Sequence, residues 1–470
     1  MSATRPADDP GLLTPAQTSL LIDQYELTMA ASYLRREMNA CAIFELSVRE
    51  LPAARDWLLV AGLGPALRLV EEMRFGQEEL AYLESIGFGA ELLGYLEGFR
   101  FSGDVDALPE GTIVFAGEPI VRVTAPRIEA QLLETILLNQ VNFQTAIATK
   151  AARVVLAAGG GEPGAGERVM DFSPRRDHGV DAAMKAARSA AIAGVRSTSN
   201  VAAAMRYGLR AVGTMAHSYV LSFPREQGAF EAFMRDTPEN AILLVDTYDT
   251  LQGVRHAIAA AEATRVPLRG VRIDSGDLLA LSRATRGLLD DAGFGDTLIA
   301  VSGDLEEHQI ARLVAAGAPV DAWGVGTELG VSRDAPTLGG IYKLVADAEG
   351  DGGWRAVWKR SPAKETMPGP KQLFRSFDGG VMEGDLIAEA SEQPTALAVV
   401  GAPHAPRALM QRFVTNGERV RVEPLAQLRA RATQNLAALP GQLRASERTT
   451  RAAYPVEYSA RLRELAKLPG

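Results

Sequence analysis

Apolar residues recur every four positions near the start of the chain. Leu21, Tyr25 and Met29 have this spacing within residues 18–36, which predicts one face of an amphipathic helix. A strand is predicted at AIFELSVREL, and helical segments rich in Leu and Glu follow it. Short runs of β character then alternate with turn residues in GDVDALPEGTIVFAGEPIVRVTAP. We therefore expect residues 1–140 to form an α+β N-terminal domain.

A long segment without internal proline or glycine follows this region. From Arg127, the run IEAQLLETILLNQVNFQTAIATKAARVVLAAG predicts one long helix, or two in tandem, that bridges two domains. Beyond it, short apolar strands alternate with helical segments, and the predicted strands are RVMDFS, AVGTMAH, ILLVDT, GVRIDS, TLIAVSGD and VDAWGVGT. This alternation predicts parallel strands in an open doubly wound sheet or an α/β barrel over residues 141–345.

Polar residues and glycines gather where these predicted strands end. In a parallel barrel the chemistry lies at the carboxyl ends of the strands. We therefore expect a single cavity lined by Phe172, His217, Asp246, Arg272, Asp274, Asp304, Gly324 and Gly326. The glycine-rich segment GGGEPGAGER lacks the Lys-Ser/Thr pair of a phosphate-binding P-loop, so we expect a plain connector there.

The alternating pattern ends after Lys343. The segment WRAVWKRSPAKETMPGPKQLFR is followed by a stretch of β character, and helices rich in Arg and Leu begin at about Pro424. We expect residues 346–470 to form a C-terminal region that packs back on the N-terminal domain. No site is assigned beyond about residue 425.

Composition and charge exclude several classes of protein. The 470 residues are 47% hydrophobic and 23% charged, a balance typical of a globular protein. The net charge of -9 opposes nonspecific binding to nucleic acid or to an anionic membrane. Because Cys41 is the only cysteine, an intramolecular disulfide and a cysteine-based metal cluster are excluded. With no apolar run of bilayer length and no export signal, we expect a cytoplasmic protein.

Two motifs carry groups that suit phosphate and ribose. GVRIDSGDL sets Arg272 beside Asp274, and AWGVGTEL offers backbone amides that can cradle a phosphate, at Gly324, Gly326 and Thr327. Each motif alone is weak evidence. A simpler explanation is that Asp274 or Thr327 caps the next helix.

Helix capping is also the simpler explanation for Asp304, because Asp304 and Glu307 have the spacing of a capping box. His217 is one of five histidines, and it is the one that follows a predicted strand. An imidazole there can act as a general base, a metal ligand or a phosphate acceptor, and spacing alone does not choose among these roles. The other histidines are expected on the surface or in loops, at His178, His256, His308 and His404.

Ten ordered blocks between about Leu21 and Phe374 resemble nicotinate phosphoribosyltransferases. They are LIDQYELTMA, FELSVRELP, RFSGDVDALPEGTIVFAGEP, IEAQLLET, NFQTAIATKAARVV, GTMAHSYV, VDTYDTLQGV, GVRIDSGDL, GVGTEL and LGGIYKLV. The resemblance implies an α/β fold, specifically an irregular α/β barrel like that of type II phosphoribosyltransferases, with an α+β N-terminal domain and a C-terminal extension. It also implies formation of nicotinate mononucleotide and pyrophosphate from nicotinate and phosphoribosyl pyrophosphate, in the salvage route to NAD.

The same resemblance implies ATP as a co-substrate, Mg²⁺, and a homodimer whose active site lies at the subunit interface. His217 matches the histidine that ATP phosphorylates, and Asp246 matches the carboxylate that supports it. Tyr25 and Phe172 match the aromatic pair that sandwiches the pyridine ring, with the tyrosine presented by the other subunit.

Further positions match substrate-binding residues of the family. Arg272 and Thr214 match positions that hold nicotinate, and Arg175 matches an arginine of the family's RR segment. Because Pro174 is unusual at its position, Arg176 remains an alternative to Arg175. Carboxylates near the ribose and metal match Asp274 and Asp304, without identifying which one binds Mg²⁺. The loop for the sugar 5-phosphate matches Gly324, Gly326 and Thr327.

Substrate choice depends on a residue near TSN. Relatives that use nicotinamide carry an aspartate there, whereas this chain has Ser199. A buried carboxylate would repel the carboxylate of nicotinate, so a hydroxyl favours the acid. The alternatives are a nicotinamide or quinolinate phosphoribosyltransferase on the same barrel, or a catalytically silent binding relative. The joint presence of Tyr25, His217 and Asp246 favours the enzyme.

Overall fold

The structure, a computed structural model, describes residues 15–349, 353–359, 366–393, 406–445 and 453–467. The chain begins with a mixed α and β region of eleven elements. These are α1 (Pro15–Thr18), α2 (Gln24–Arg35), β1 (Cys41–Val48), β2 (Leu58–Leu59), α3 (Leu63–Glu72), α4 (Gln77–Ser85), α5 (Ala90–Glu97), β3 (Asp104–Ala107), β4 (Ile113–Val114), β5 (Pro119–Pro126) and α6 (Arg127–Gln131).

The apolar stripe predicted by the fourfold spacing lies on the exposed side of α2. In α2 the buried residues are Glu26, Leu27 and Ala30. Tyr25 and Met29 are 48% and 38% exposed. The predicted helical period is correct, and the stripe faces outward from the chain.

The helix α7 (Glu134–Ala158) follows α6, so the long segment forms two helices in tandem. Its 25 residues span roughly 38 Å at 1.5 Å per residue. The Thr149 hydroxyl accepts a hydrogen bond from the Leu59 backbone N–H, which fixes α7 to β2. One turn later, Arg153 Nε donates to Glu307 at 2.7 Å. The helix therefore contacts both the first region and the repeats that follow.

The repeats begin after a glycine-rich connector that ends in a 3-10 turn at Ala165–Arg168. They contain β6 (Val169–Asp171), α8 (Val180–Ile192), β7 (Ser197–Thr198), α9 (Val201–Tyr207), β8 (Arg210–Ala211), α10 (His217–Leu221), α11 (Glu226–Asp236), a 3-10 turn (Pro238–Asn240), β9 (Ile242–Leu244), α12 (Thr250–Thr264), β10 (Gly270–Ile273), α13 (Leu278–Asp291), β11 (Leu298–Val301), α14 (Glu307–Ala315), β12 (Ala322–Val325) and α15 (Thr327–Gly330).

The seven strands of the repeats form one parallel sheet in the order β8-β7-β6-β12-β11-β10-β9. Six of them were predicted, and β7 was not. Because the last strand, β12, pairs with the first, β6, the order is that of a barrel opened between β8 and β9. The Asn240 side chain donates to the Gly213 carbonyl at 2.7 Å across this opening. The result is a half-barrel sheet whose carboxyl strand ends lie on one side.

The chain then returns to the first region. The final elements are β13 (Gly340–Ala348), β14 (Trp354–Ala356), β15 (Lys371–Asp378), β16 (Val381–Glu389), β17 (Arg407–Ala408), β18 (Gln411–Thr415), β19 (Glu418–Arg419), α16 (Leu425–Ala438), α17 (Gly441–Arg444), β20 (Val456–Tyr458) and α18 (Ala460–Leu465). A seven-stranded sheet in the order β14-β13-β1-β5-β3-β18-β19 joins strands from both ends of the chain.

Two smaller sheets complete the fold, in the orders β17-β15-β16-β20 and β2-β4. Two large hydrophobic clusters of buried residues lie in the molecule. One includes Trp323 and Phe230 of the repeats, and the other includes Leu46 and Val121 of the seven-stranded mixed-origin sheet. The division into domains at residues 140 and 345 stays a prediction.

Candidate active site

His217 is the first residue of α10, in the loop that follows β8. Its Nδ1 lies 3.1 Å from the Thr247 hydroxyl oxygen. Its Nε2 lies 4.0 Å from Oδ1 of Asp246. The imidazole is 41% exposed, whereas the Asp246 side chain is 2% exposed. An open imidazole is thus backed by a buried carboxylate, as a nucleophilic histidine requires.

Asp246 follows β9, and its carboxylate accepts two hydrogen bonds from the loop after β10. Its Oδ2 accepts hydrogen bonds from the Asp274 backbone N–H at 2.9 Å and from the Ser275 hydroxyl at 2.7 Å. Its Oδ1 is buried and accepts no hydrogen bond from the described residues. That free oxygen is the one that faces His217. A small closing movement would pair it with Nε2, and such tightening is common when substrates bind.

Asp274 follows β10, and its carboxylate is held by the Ser302 hydroxyl at the end of β11. Gly303 has a φ of 94°, and a Cβ there would lie 1.9 Å from the Asp274 carbonyl oxygen. Glycine is therefore required for the close approach of the two loops. The next helix is capped by Asp277, whose Oδ1 accepts from Leu279 and Ala280. Capping thus does not account for Asp274.

Arg272 lies at the end of β10, where Nη1 donates to the Thr214 hydroxyl at 3.3 Å. Burial lowers the pKa of Arg272, the charges of Asp274 and Asp246 oppose this shift, and the charge of Arg175 adds to it. Arg175 is exposed and lies close enough to Arg272 for this repulsion to act. Two cationic side chains, half-buried Arg272 and exposed Arg175, therefore lie in this part of the site, which suits an anionic substrate.

Phe172 and the loop after β12 lie against each other. The Phe172 backbone N–H donates to the Val325 carbonyl at 2.8 Å. A Cβ on Gly324 would lie 2.6 Å from the Phe172 ring, so the ring packs directly on the backbone there. Gly326 precedes α15 and Thr327 is its first residue, and the helix has no side-chain cap at its N-terminus. The Thr327 capping explanation is therefore wrong.

Asp304 has a φ of 47°, a left-handed conformation uncommon outside glycine. The predicted capping box with Glu307 is also wrong. Glu306 caps α14 by accepting from the His308 and Gln309 backbone N–H groups. Glu307 instead binds Lys150 at 2.5 Å in the interior. Asp304 therefore does not cap α14. It comes directly after Gly303, which contacts the Asp274 backbone.

Ser199 follows β7, and its backbone N–H donates to the Asp171 carbonyl at 2.8 Å. The residue is half-buried beside Asn200, which caps α9. Ser199 therefore lies at the end of the strand next to the one that leads to Phe172. Among the other histidines, His256 is half-buried and 2.8 Å from Glu226, and His404 lies outside the described residues.

Tyr25 is the predicted residue that lies apart from these strand ends. It borders a cavity of about 440 Å³ formed with α7 and the segment before β13, including Glu134, Asn142 and Thr337. Burial and the nearby charges of Glu134 and Glu26 raise its pKa. Within one chain, Tyr25 therefore belongs to the neighbourhood of Glu134.

Two residues at the centre of the site were missed in the sequence. Thr247 contacts His217, and Ser302 contacts Asp274. Thr247 is the third residue after β9, in VDT, and Ser302 directly follows β11, in AVSGD. Their positions at strand ends are the sequence signal that could have identified them.

Two family models match the chain. The N-terminal domain of nicotinate phosphoribosyltransferase matches residues 20–142, and the nicotinate phosphoribosyltransferase family model matches residues 168–317. A curated nicotinate phosphoribosyltransferase of Mycobacterium tuberculosis is 46% identical over 456 residues, which cover 96% of this chain and 94% of the relative. The chain belongs to the nicotinate phosphoribosyltransferase family. As a member of this enzyme family it is an enzyme.

Other nicotinate phosphoribosyltransferases agree with this assignment. The enzyme of Bacillus subtilis is 42% identical, over 85% of this chain and 81% of the relative. The crystal structure of human nicotinic acid phosphoribosyltransferase superposes with a TM-score of 0.79 at 28% identity, over 97% of this chain and 99% of that one. The expected α/β fold is thereby confirmed, with its parallel strands in a half-barrel sheet.

A metal would have to be held here by few protein ligands. Within the described ranges, no three His, Cys, Asp or Glu side chains form a metal-binding group. Mg²⁺ is commonly held by one or two carboxylates together with substrate phosphates, and Asp274 and Asp304 fit that pattern. In the part of the chain that the structure describes, no helix is long and apolar enough to cross a membrane.

Proposed function

We propose that this chain joins nicotinate to the ribose 5-phosphate of phosphoribosyl pyrophosphate and couples the reaction to ATP hydrolysis through a phosphohistidine at His217. The observation that carries the proposal is the pairing of an open imidazole with a buried carboxylate oxygen that has no other partner among the described residues. A carboxylate so arranged orients the ring and stabilises positive charge on it.

The geometry favours Nδ1 as the nitrogen that attacks the γ-phosphorus of ATP. When Asp246 accepts the proton on Nε2, the lone pair of the neutral ring lies on Nδ1. The bond from Nδ1 to phosphorus forms as the bond to ADP breaks. The Thr247 hydroxyl, 3.1 Å from Nδ1, has to turn away before the attack, because Nδ1 uses its lone pair to bind phosphorus. Water later cleaves the phosphohistidine and restores the imidazole.

Transfer itself depends on positioning and charge compensation. The nitrogen of nicotinate attacks the anomeric carbon of the ribose while pyrophosphate leaves. Phe172 stacks on the pyridine ring, Arg272, Arg175 and Thr214 bind the nicotinate carboxylate and phosphate, and Ser199 leaves room for the acid. The backbone amides at Gly324, Gly326 and Thr327 bind the sugar 5-phosphate.

Asp274 and Asp304 hold the ribose and contribute to a magnesium site. When bound there, Mg²⁺ neutralises the charge that develops on the departing pyrophosphate. Of the two carboxylates, Asp274 is held in place by Ser302 and by the packing of Gly303 against its backbone. Its direction is therefore fixed before substrate arrives.

A homodimer completes the site in this proposal. Tyr25 and Met29 form an exposed apolar stripe on α2. Exposing two large side chains on one helix face does not stabilise a monomer. We infer that the partner subunit receives this stripe, so that Tyr25 lies opposite Phe172 across the pyridine ring.

The test is chromatographic detection of mononucleotide from purified protein, magnesium and phosphoribosyl pyrophosphate. Nicotinate and nicotinamide are compared, each with and without ATP. Nicotinate mononucleotide formed faster with ATP supports the proposal. Nicotinamide mononucleotide as the main product would refute the choice of substrate. No product from either base would refute the reaction.

A further inference from the structure

Asp177 lies between two loops of the site. It belongs to the arginine loop, defined here as residues 172–179, which follows β6 and includes Phe172 and Arg175. Its Oδ2 accepts a hydrogen bond from the Ser173 hydroxyl at 3.1 Å. Its Oδ1 points at Gly330, the last residue of α15. The side chain is therefore wedged between the arginine loop and the helix that follows the phosphate-binding turn.

The fit at this contact is tight. A Cβ on Gly330 would lie 2.0 Å from Asp177 Oδ1 and 2.4 Å from the Ser173 Cβ. Real side-chain contacts do not occur at such distances, so residue 330 has to lack a side chain for the loop to lie here. The arginine loop and α15 consequently have one relative position, which is set by Asp177 and Ser173.

This place is unfavourable for an ionised carboxylate. Oδ1 is buried and accepts no hydrogen bond from any described residue. Burial and the nearby charge of Asp171 raise the pKa of Asp177 to about 6. From α15 the contact is the Gly330 backbone, and the helix's own acid, Glu328, lies 3.2 Å from Arg333. A buried polar atom without a partner calls for an explanation beyond folding stability.

We propose that Asp177 is a positioning residue that locks the arginine loop against α15 and so fixes the position of Arg175 relative to the phosphate-binding turn. The inference rests on the proposed function only for the roles given to Phe172, Arg175 and the turn at Gly324–Thr327. Asp177 touches no substrate itself. It acts through the loop that does.

The lock has a defined pH dependence. Since the pKa of Asp177 is raised in the locked arrangement, the locked loop keeps a proton that a released loop loses near pH 3.8. Locking is therefore strongest when Asp177 is neutral and weakens as the pH rises through about 6. Asp177→Asn keeps the shape without the charge, whereas Asp177→Ala removes the wedge.

The first experiment is amide hydrogen exchange of the full-length protein at pH about 5 and about 8. The Arg176 backbone N–H, which donates to the Ser173 carbonyl at 2.6 Å, reports on the loop. After correction for intrinsic exchange, Asp177→Ala should exchange about tenfold faster than wild type at the lower pH. Asp177→Asn should be protected equally at both. Protection of Asp177→Ala equal to that of wild type would overturn the proposal.

Steady-state kinetics give the second readout. Asp177→Ala should raise KM for nicotinate about tenfold and leave kcat within about twofold, because ground-state positioning is lost. Asp177→Asn should restore KM. The matched control is Asp181→Asn, an exposed acid at the start of α8 that pairs with Lys185. A loss confined to kcat, or equal loss in the control, would contradict the lock.

The two experiments separate this inference from the proposed function. If wild type forms no mononucleotide, the reaction is refuted, and hydrogen exchange still decides whether Asp177 holds the loop. If wild type is active and Asp177→Ala has unchanged KM, the reaction stands and the lock is refuted.

Discussion

At the scale of single residues, Asp246 connects two parts of the site. One of its oxygens holds the backbone and hydroxyl of the β10 loop, and the other faces His217. A change in the charge of the imidazole therefore acts on Asp246, which is hydrogen-bonded directly to the Asp274 backbone. In the proposed mechanism, coupling between ATP hydrolysis and the ribose chemistry passes through this carboxylate.

The first prediction concerns His217. His217→Ala should reduce the rate with ATP to the rate without ATP, because the phosphate acceptor is gone. Initial rates of mononucleotide formation across ATP concentrations measure this, with circular dichroism to check the fold. His256→Ala is the matched control, since it removes an imidazole that is paired with Glu226 instead. ATP stimulation that persists in folded His217→Ala would exclude the phosphohistidine.

The second prediction concerns Ser199. Ser199→Asp should raise KM for nicotinate by about tenfold or more and improve the use of nicotinamide, because a half-buried carboxylate repels the acid and accepts from an amide. The ratio of kcat/KM for the two bases measures the switch. Ser199→Ala, which adds no charge, should keep the preference for nicotinate. An unchanged ratio in Ser199→Asp would show that Ser199 does not set specificity.

At the scale of elements, the sequence predicted the strands that contain an apolar run and missed the strand that lacks one. Five of the six predicted parallel strands, β6 and β9 to β12, contain buried residues closed by polar ones, whereas β8 is the exposed pair Arg210 and Ala211. The seventh, β7, is only Ser197 and Thr198, and it has no apolar run to detect. The exposure of the α2 stripe was not predicted, because periodicity identifies an apolar stripe without identifying what covers it.

The sequence likewise predicted only part of the candidate site. The strand ends located His217, Asp246 and Asp274, which the structure links through direct contacts. The capping explanations offered for Asp274 and Asp304 lay three and two residues before the true caps, Asp277 and Glu306. Cap choice depends on the loop's dihedral angles, and these are set by tertiary packing that a single sequence does not display.

The third prediction concerns Glu26 on α2. This carboxylate is fully buried and accepts from the Thr135 hydroxyl at 2.6 Å. Burial is the main cause that raises its pKa to about 7, with further contributions from Glu134 and Asp23. The folded protein thus retains a proton that the unfolded chain releases near pH 4.5. Stability contributed by Glu26 is full below that pH and is lost as the pH rises through about 7.

Glu26→Gln should therefore be more stable than wild type at pH about 8, by about 1–3 kcal/mol, and of similar stability at pH about 4.5. Urea unfolding at both pH values measures the difference. Glu84→Gln, an exposed position on α4, should show no such dependence. A stability difference for Glu26→Gln that is the same at both pH values would contradict the assignment.

At the scale of the whole molecule, α7 joins the two large parts of the fold. Its first half borders the cavity beside Tyr25, and its second half carries Lys150 and Arg153, which bind Glu307. A shift of this helix would therefore move residues both beside Tyr25 and near the strand ends.

The fourth prediction tests the proposed dimer. Tyr25→Ala and His217→Ala should each lower activity in the presence of ATP. Mixed in equal amounts after dissociation and reassociation, they should recover up to about a quarter of wild-type activity, because about half of the dimers are mixed and one of the two sites in each mixed dimer is intact. Light scattering gives the mass, and activity of the mixture gives complementation. A monomeric mass, or no recovery in a verified heterodimer, would refute a shared site.

The sheet that joins both ends of the chain also constrains the order in which the chain folds during synthesis. Ala42 of β1 pairs with Asp347 of β13, about 300 residues later. At roughly 5–20 residues per second, ribosomal elongation leaves that edge of β1 without its native neighbour for about 15–60 s. Meanwhile the half-barrel repeats emerge and have all seven strands available. We expect the half-barrel to fold first on the ribosome, while the N-terminal strands depend on chaperones to avoid edge-to-edge aggregation.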